Sequence, residues 1–206
     1  AIKEIGISIN GRIAINQFLK KKKITNTTKA NEITMVSFTS DKARRTFLVL
    51  SIGIANSMSD LFGIQKIMPD PYFSGGGLNV TVSGGLLDVH VDGNYHDASG
   101  LNRRLNAILY LNPEWQEGWG GEFGLYDSTG DNLIKKVAPL YNRLVIFDTN
   151  DYSYHGLPDP LNFPEDKVRK SIILYYYTKE SRPTSQTAVE APHSALWKKR
   201  GLLDKR

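Results

Sequence analysis

His90-Val91-Asp92, His155, Arg169 and Ser171 are the residues whose types and spacing could do chemistry. Two ligand-type side chains one residue apart in an extended segment point to the same side, because side chains alternate across a strand with period two. A second histidine from a distant strand would complete a 2-His-1-carboxylate facial triad, the arrangement that holds non-heme Fe(II) and leaves coordination positions open. His-x-Asp alone is a common spacing and gains meaning only from its companions. The chain has no cysteine, which removes disulfides, thiolate ligands and cysteine nucleophiles together. Any metal must be held by histidine and carboxylate. A zinc hydrolase would need a general base beside the metal, and no helical histidine-glutamate motif is present.

The elements that must position these residues are legible as patterns. Short strands are expected around Ile5 to Ile9 and Ile33 to Phe38. Ser40 and Asp41 offer a cap for a helix in which Ala43, Phe47, Leu50, Ile54, Met58 and Leu61 recur at helical spacing until Gly63. The Gly75-Gly76-Gly77 run has no lysine and no helix opening after it, so it is a turn before a strand and not a phosphate loop. Strands are then expected over Leu78 to Val82, Leu86 to Asp92, Arg104 to Leu111, Gly121 to Tyr126, Asn132 to Val137, Arg143 to Asp148 and Arg169 to Thr178. Their spacing points to an antiparallel barrel or jelly roll. Segment 104–111 sets Leu105, Ala107, Leu109 and Leu111 on one face against Arg104, Asn106, Ile108 and Tyr110 on the other. The last strand splits in the same way, Ile172, Leu174 and Tyr176 against Arg169, Ser171, Ile173 and Tyr175. A barrel with a polar interior follows.

With 206 residues, 40% hydrophobic and 23% charged, the composition is that of a globular protein and excludes wholesale disorder. No window approaches twenty uninterrupted apolar residues and no signal-peptide order is present at the start, so a cytoplasmic location is expected. The net charge is +5, and most of it lies in the tail, where Arg182, Lys198, Lys199, Arg200, Lys205 and Arg206 face only Glu190 and Asp204. That run and Lys20 to Lys23 have no interleaved aromatic residues to stack bases. They read as solvated surface, which disfavours a nucleic-acid partner. The Pro-, Ser- and Thr-containing stretch after Thr178 suggests a mobile segment up to about Pro192, with Trp197 as an anchor for the last turn.

From about Tyr72 to Glu180 the chain resembles the iron- and 2-oxoglutarate-dependent dioxygenases of the prolyl-4-hydroxylase-like group, a double-stranded β-helix superfamily. The resemblance is carried by His90-Val91-Asp92, by Arg104-Leu105-Asn106-Ala107-Ile108-Leu109-Tyr110-Leu111-Asn112 and by Trp119-Gly120-Gly121-Glu122-Phe123. Arg143-Leu144-Val145-Ile146-Phe147, Tyr154-His155-Gly156 and Arg169-Lys170-Ser171 complete it. Each fragment alone is weak, and their order and spacing together are specific. The resemblance implies a mainly β chain whose jelly-roll core, 72–180, rests on an N-terminal helical support, 1–71. The two form one dioxygenase domain, 1–180, followed by a basic tail, 181–206.

It further implies that His90, Asp92 and His155 are the iron ligands. Arg169 would pair with the distal carboxylate of 2-oxoglutarate, to which Tyr110 would donate a hydrogen bond. A planar guanidinium fork matches a carboxylate bidentately and stays charged when enclosed. Ile108, Phe123, Leu157, Ile173 and Ser171 would line the co-substrate pocket. The expected reaction is hydroxylation of an unactivated C–H bond by O2, with succinate and CO2 as co-products and ascorbate as a supporting reductant. Asp92 favours hydroxylation over halogenation, since related halogenases carry a small residue there. The extra tyrosine that some prolyl hydroxylases carry upstream of the first ligand is absent, with Asn79 and Val80 in its place. Tyr175 stands where the nucleic-acid demethylase branch has a second arginine.

A prolyl residue in a peptide or protein is the expected target. The alternatives are a free amino acid or other small molecule, and a non-catalytic β-barrel binding module. The loops 93–102 and 156–167 begin beside the ligands and are expected to move with substrate, with Tyr95, His96 and Asp159 as contacts. His96 is read as a surface or substrate-facing residue, and His193 as no ligand.

Overall fold

The structure is a computed structural model, and it describes residues 3–6, 33–36, 41–188 and 191–198. Among these described residues twelve strands and one long helix follow in chain order: β1 (Lys3–Gly6), β2 (Ile33–Val36), α1 (Asp41–Phe62), β3 (Met68–Pro69), β4 (Gly77–Thr81), β5 (Leu87–Val91), β6 (Asn102–Tyr110), β7 (Phe123–Tyr126), β8 (Leu133–Val137), β9 (Arg143–Asp148), β10 (His155–Leu157), β11 (Arg169–Thr178) and β12 (Leu196–Trp197). A seven-stranded sheet runs in the order β1-β9-β6-β11-β4-β2, with β3 also on β11. A five-stranded sheet runs β12-β5-β10-β7-β8. All pairings between these strands are antiparallel. Strands and layers are those expected of a jelly roll supported by an N-terminal helix. The expected cap residue Ser40 lies outside the described residues. No helix among the described residues is long and apolar enough to cross a membrane.

Alternation in β6 and β11 divides the interior into two layers. Leu105, Ala107, Ile172, Leu174 and Tyr176 leave the large sheet on the side of α1, where they cluster with Ala55, Met58, Ile146 and Leu144. Burial of this face stabilises the scaffold at about 25 cal/mol per Å2 of apolar surface. The Tyr176 hydroxyl donates to the Ser51 carbonyl oxygen at 3.3 Å and ties helix to sheet. On the opposite face Ile108, Tyr110, Phe123, Leu125, Val137, Val145 and Phe147 form a second cluster, with Ile173 against it. This inner layer lies between the two sheets.

The alternation breaks once. Leu105 pairs with Tyr176, yet the next pair is Arg103 with Tyr177, so Arg104 is bulged out. A bulge re-aims side chains beyond it. Arg103, and not Arg104 as an unbroken period would have it, therefore reaches the inner face.

The stretch after Thr178, expected to be mobile, is fastened to the barrel. Arg182 is 8% exposed. Its guanidinium donates to Asp148 Oδ1 at 2.8 Å, to Gln186 Oε1 at 3.2 Å and to the carbonyl oxygen of Arg103. Asp151 Oδ2 accepts the Ala188 amide at 2.7 Å, and β12 then joins β5. At the other end of the small sheet β8 is an outer strand whose Leu133, Ile134, Lys135 and Lys136 are exposed. Removing one partner of a buried ion pair leaves the other desolvated and unpaired, at a cost of about 3 kcal/mol. Arg182→Ala is accordingly expected to lower stability by about that amount in urea unfolding, and to expose the 183–188 segment to limited proteolysis.

Candidate metal centre

His90 is carried on β5 and Asp92 immediately follows it, while His155 opens β10. The pairing of β10 with β5 sets His155 directly opposite His90. The three side chains therefore leave the sheet on one face. One ligand atom from each of His90, Asp92 and His155 lies within 4.8 Å of the others. The His90 and His155 Nε2 atoms stand 3.7 Å from Asp92 Oδ1 and Oδ2 respectively.

The tautomers follow from the other ring nitrogens. His90 Nδ1 donates to the Asp88 carbonyl oxygen at 2.8 Å, and His155 Nδ1 donates to that of Ser153 at 2.8 Å. A carbonyl can only accept, so both protons sit on Nδ1 and both Nε2 lone pairs face the carboxylate. Burial pushes the His155 imidazole down to about 4, Asp92 opposing the shift and His90 adding to it. His155 is thus neutral at neutral pH. Burial alone would raise the Asp92 carboxyl. Opposing it, its proximity to His155, to His90 and to the Arg103 guanidinium holds it well below the usual carboxylate range. Asn106 Nδ2 donates to Asp92 Oδ2 at 3.2 Å, and Arg103 Nη1 is 3.7 Å from Oδ1. Three acceptors converge, a donor set that a divalent cation taking nitrogen and oxygen ligands would satisfy. It fits Fe(II) with open positions.

Arg169, buried at 4% exposure, lies on the inner face of β11. Its Nε donates to the Gly121 carbonyl oxygen at 2.9 Å, and its guanidinium carbon is 5.0 Å from the Tyr110 ring centroid. Gly121 has φ +83°, and a Cβ there would lie 2.9 Å from Arg169 Cδ and 2.7 Å from Leu161 Cδ2. Only glycine fits both the backbone and the close approach. Ser171 pairs with Tyr110, Ile173 with Ile108 and Asn79 with Ser171, so these residues share the face of Arg169. The buried Tyr110 hydroxyl and Ser171 Oγ lack a well-formed hydrogen bond. A charged fork beside two unused hydroxyl groups fits an anionic ligand such as a carboxylate. Phe123 and Phe147 pack on the His155 ring at 5.4 and 4.7 Å, and Leu157 is buried on the same strand.

The expected substrate contacts fare unequally. His96 is buried, not at the surface. Its Nδ1 accepts from the Ser99 amide at 3.1 Å, and its Nε2 is 3.1 Å from Ser74 Oγ. It stitches the 93–102 loop to the segment before β4. Tyr95 is half-buried and bridges to Asn102. Asp159 is exposed, 3.5 Å from Lys136 on β8. Besides Asn106 and Phe147, two residues outside the expected set join the site. Arg103 spans Asp92 and the ring of Tyr175, 4.0 Å from its centroid, and also donates to the Tyr177 hydroxyl at 3.2 Å. Trp197 stacks on His90 with centroids 4.5 Å apart. A bulge and a long-range strand pairing deliver them, and neither leaves a local signal.

A jelly roll with two histidines and a carboxylate on the inner face of one sheet and a buried arginine on the inner face of the other defines a metal-dependent oxygenase type of site. The sequence model of the 2OG-Fe(II) oxygenase superfamily matches residues 76–177, about half of the chain, and the chain belongs to that superfamily. It is 34% identical over 86 residues to a prolyl 3-hydroxylase, OGFOD1, of Mus musculus, a match covering 40% of this chain and 15% of the relative. The chain therefore spans a small part of that relative's length. Two solved structures share the fold. A prolyl-4-hydroxylase of Pseudomonas putida has TM-score 0.54 at 16% identity, over 88% of this chain and 92% of the other. A prolyl hydroxylase of Trichoplax adhaerens, in complex with a hypoxia inducible factor peptide fragment, has TM-score 0.56 at 18% identity, over 86% and 82%.

Loss of one ligand of three is expected to weaken metal binding at least tenfold in His90→Ala, Asp92→Ala and His155→Ala, checked by metal titration with circular dichroism as the control for folding. The metal-free protein should also be acid-labile. His155 has a folded-state pKa near 4, below its ordinary 6.5. Its contribution is therefore fully present above about 6.5 and is lost as pH falls toward 4. Thermal midpoints should fall over that window, and less steeply in His155→Asn.

Proposed function

We propose that the chain is an Fe(II)- and 2-oxoglutarate-dependent hydroxylase acting on a prolyl residue of a peptide or protein. His90, Asp92 and His155 are the metal ligands in this reading. Arg169, with Tyr110 and Ser171, receives the distal carboxylate of 2-oxoglutarate, and Ile108, Phe123, Leu157 and Ile173 wall its aliphatic part. The observation that carries the reading is the convergence of two Nε2 lone pairs and an ionised carboxylate in the interior that Arg169 faces from the opposite sheet. Superfamily membership and the prolyl hydroxylase named among its relatives support the choice of target.

When bound, iron and 2-oxoglutarate supply the oxidising chemistry, in which decarboxylation to succinate and CO2 accompanies transfer of one O2 oxygen to a C–H bond. The chain's own part is positioning and enclosure. Asp88 and Ser153 carbonyls fix the histidine tautomers, and Asn106 and Arg103 hold the Asp92 carboxylate in orientation. Burial lowers the Arg169 pKa, yet a guanidinium stays protonated and presents its fork to the co-substrate. Phe123 and Phe147 keep water from the His155 side of the centre.

The test is mass spectrometry of candidate peptides and lysate after incubation with iron, ascorbate and 2-oxoglutarate. One added oxygen on a prolyl residue is the expected result, and hydrolysis of the modified peptide then separates 3- from 4-hydroxyproline. Turnover of 2-oxoglutarate without any oxygenated proline would move the target to a small molecule. Absence of 2-oxoglutarate turnover would leave the binding-module reading. Arg169→Lys replaces a bidentate fork by a point charge. It is expected to raise the dissociation constant for 2-oxoglutarate roughly ten- to hundredfold, the worth of one charge-assisted hydrogen bond. Tyr110→Phe should weaken it less while leaving the stability of the ligand-free protein unchanged or higher, since it removes a buried hydroxyl that lacks a well-formed hydrogen bond. Calorimetry and thermal unfolding on the two variants check both signs.

A further inference from the structure

The two histidines are not held alike. His155 lies on β10, a strand paired on both sides, and its imidazole is packed by Phe123, Phe147 and the His90 ring. His90 lies on β5, bordered by β10 on one side and, among the described residues, by β12 alone on the other. In that pairing Trp197 is directly opposite His90 and Leu196 opposite Val91. Directly opposed residues leave a sheet on the same face, so the Trp197 indole faces the metal centre. It stacks on the His90 imidazole with an interplanar angle of 29°.

The segment that carries Trp197 is fastened at both ends. The Lys198 amide donates to the Val89 carbonyl oxygen at 2.8 Å, and its Nζ reaches Asp131 Oδ1 at 2.9 Å and the Thr129 carbonyl oxygen at 2.6 Å. On the other side the His193 amide donates to Asn94 Oδ1 at 2.9 Å, and His193 Nε2 meets the buried Asp151 Oδ1 at 3.0 Å. The crossing is close at Gly93, where a Cβ would lie 2.9 Å from the His193 carbonyl oxygen. Trp197 is 54% exposed and Leu196 37%, so burial of apolar surface alone does not account for the position of this two-residue strand. Its polar fastenings do, and they put the indole on a metal-ligand ring.

We propose that Trp197 is a positioning residue for the metal centre. Stacking holds the His90 imidazole with Nε2 toward Asp92 and His155, and β12 keeps β5 from behaving as a free sheet edge. The Nδ1 bond to Asp88 leaves the ring free to swing about that contact, and a second ring on its face removes the freedom. The inference rests on the reading of His90, Asp92 and His155 as metal ligands. Removing a group that orients a metal ligand typically costs about ten- to hundredfold in metal affinity.

The experiment is titration of the full chain with Co(II) alone, read by its visible absorption, with circular dichroism and thermal midpoint on the same samples. Trp197→Ala is expected to lower Co(II) affinity about tenfold or more and to shift the ligand-field bands while the fold persists. Trp197→Phe should keep both near wild type, because a phenyl ring still stacks. Leu196→Ala, on the opposite face of the strand, should change neither. If Trp197→Ala fails to fold, Lys198→Met, which frees one end of the segment, is expected to show the same loss in weaker form. Wild-type affinity and spectrum in a folded Trp197→Ala, or in Lys198→Met where that variant stands in for it, would overturn the proposal. Failure of the wild-type chain to bind Co(II) would overturn the ligand reading and this proposal with it.

Discussion

The direct opposition of His155 and His90 across β10 and β5 is the contact on which the site depends. It brings together residues far apart in sequence by backbone hydrogen bonding alone. Slippage by one residue would turn one histidine to the outer face, because strand side chains alternate. The remaining features protect this register. β7 closes the far side of β10, α1 buries the outer face of the large sheet, and the aromatic cluster around Phe123 and Phe147 fills the space behind the His155 ring. The rigidity of the scaffold and the convergence of the ligands are thus one property.

The inner face of the large sheet is divided along β6 and β11. Toward one end, Arg169, Ser171 and Tyr110 offer a buried cation and two hydroxyl groups. Toward the other, Arg103, Asn106 and Tyr175 surround Asp92. Ile108 and Ile173, paired with each other, lie between. The arrangement sets two cationic groups at opposite ends of an apolar strip. A dicarboxylate extended from the metal toward Arg169 would find charge at its ends and aliphatic surface along its length, which is how a small set of polar groups fixes the orientation of a small ligand.

Much of this was legible in the sequence, for physical reasons. β9 and β11 coincide with their expected spans because both carry continuous runs of β-branched, aromatic and other apolar residues bounded by turns, and α1 follows its apolar period to Gly63. The ligand pair at the end of β5 was legible because period two forces a shared face. β10 escaped detection as a strand, since three residues with a glycine at the centre carry no periodic signal. Arg103 was hidden by the bulge at Arg104, a feature set by pairing and invisible to a period count. His96 reads as a surface or substrate-facing residue because its loop is polar, yet that polarity supplies Ser99, Ser74 and Asp70 as partners for a buried ring. Trp197 was recognisable as an anchor but not as a neighbour of His90, because only the fold shows which strand its segment meets.

Among the described residues β8 closes the small sheet with no strand on its outer side, the kind of edge along which chains can add to one another. Its exposed run is Leu133-Ile134-Lys135-Lys136, apolar enough at its start to be adhesive. Two copies meeting antiparallel about the centre of this strand would set Lys135 against its own counterpart, like charge facing like charge at cross-strand distance. The lysines at the middle of the strand thus oppose that pairing. The site is held because β5 and β10 are paired on both sides among the described residues, while the last strand of the same sheet presents like charge to any copy of itself.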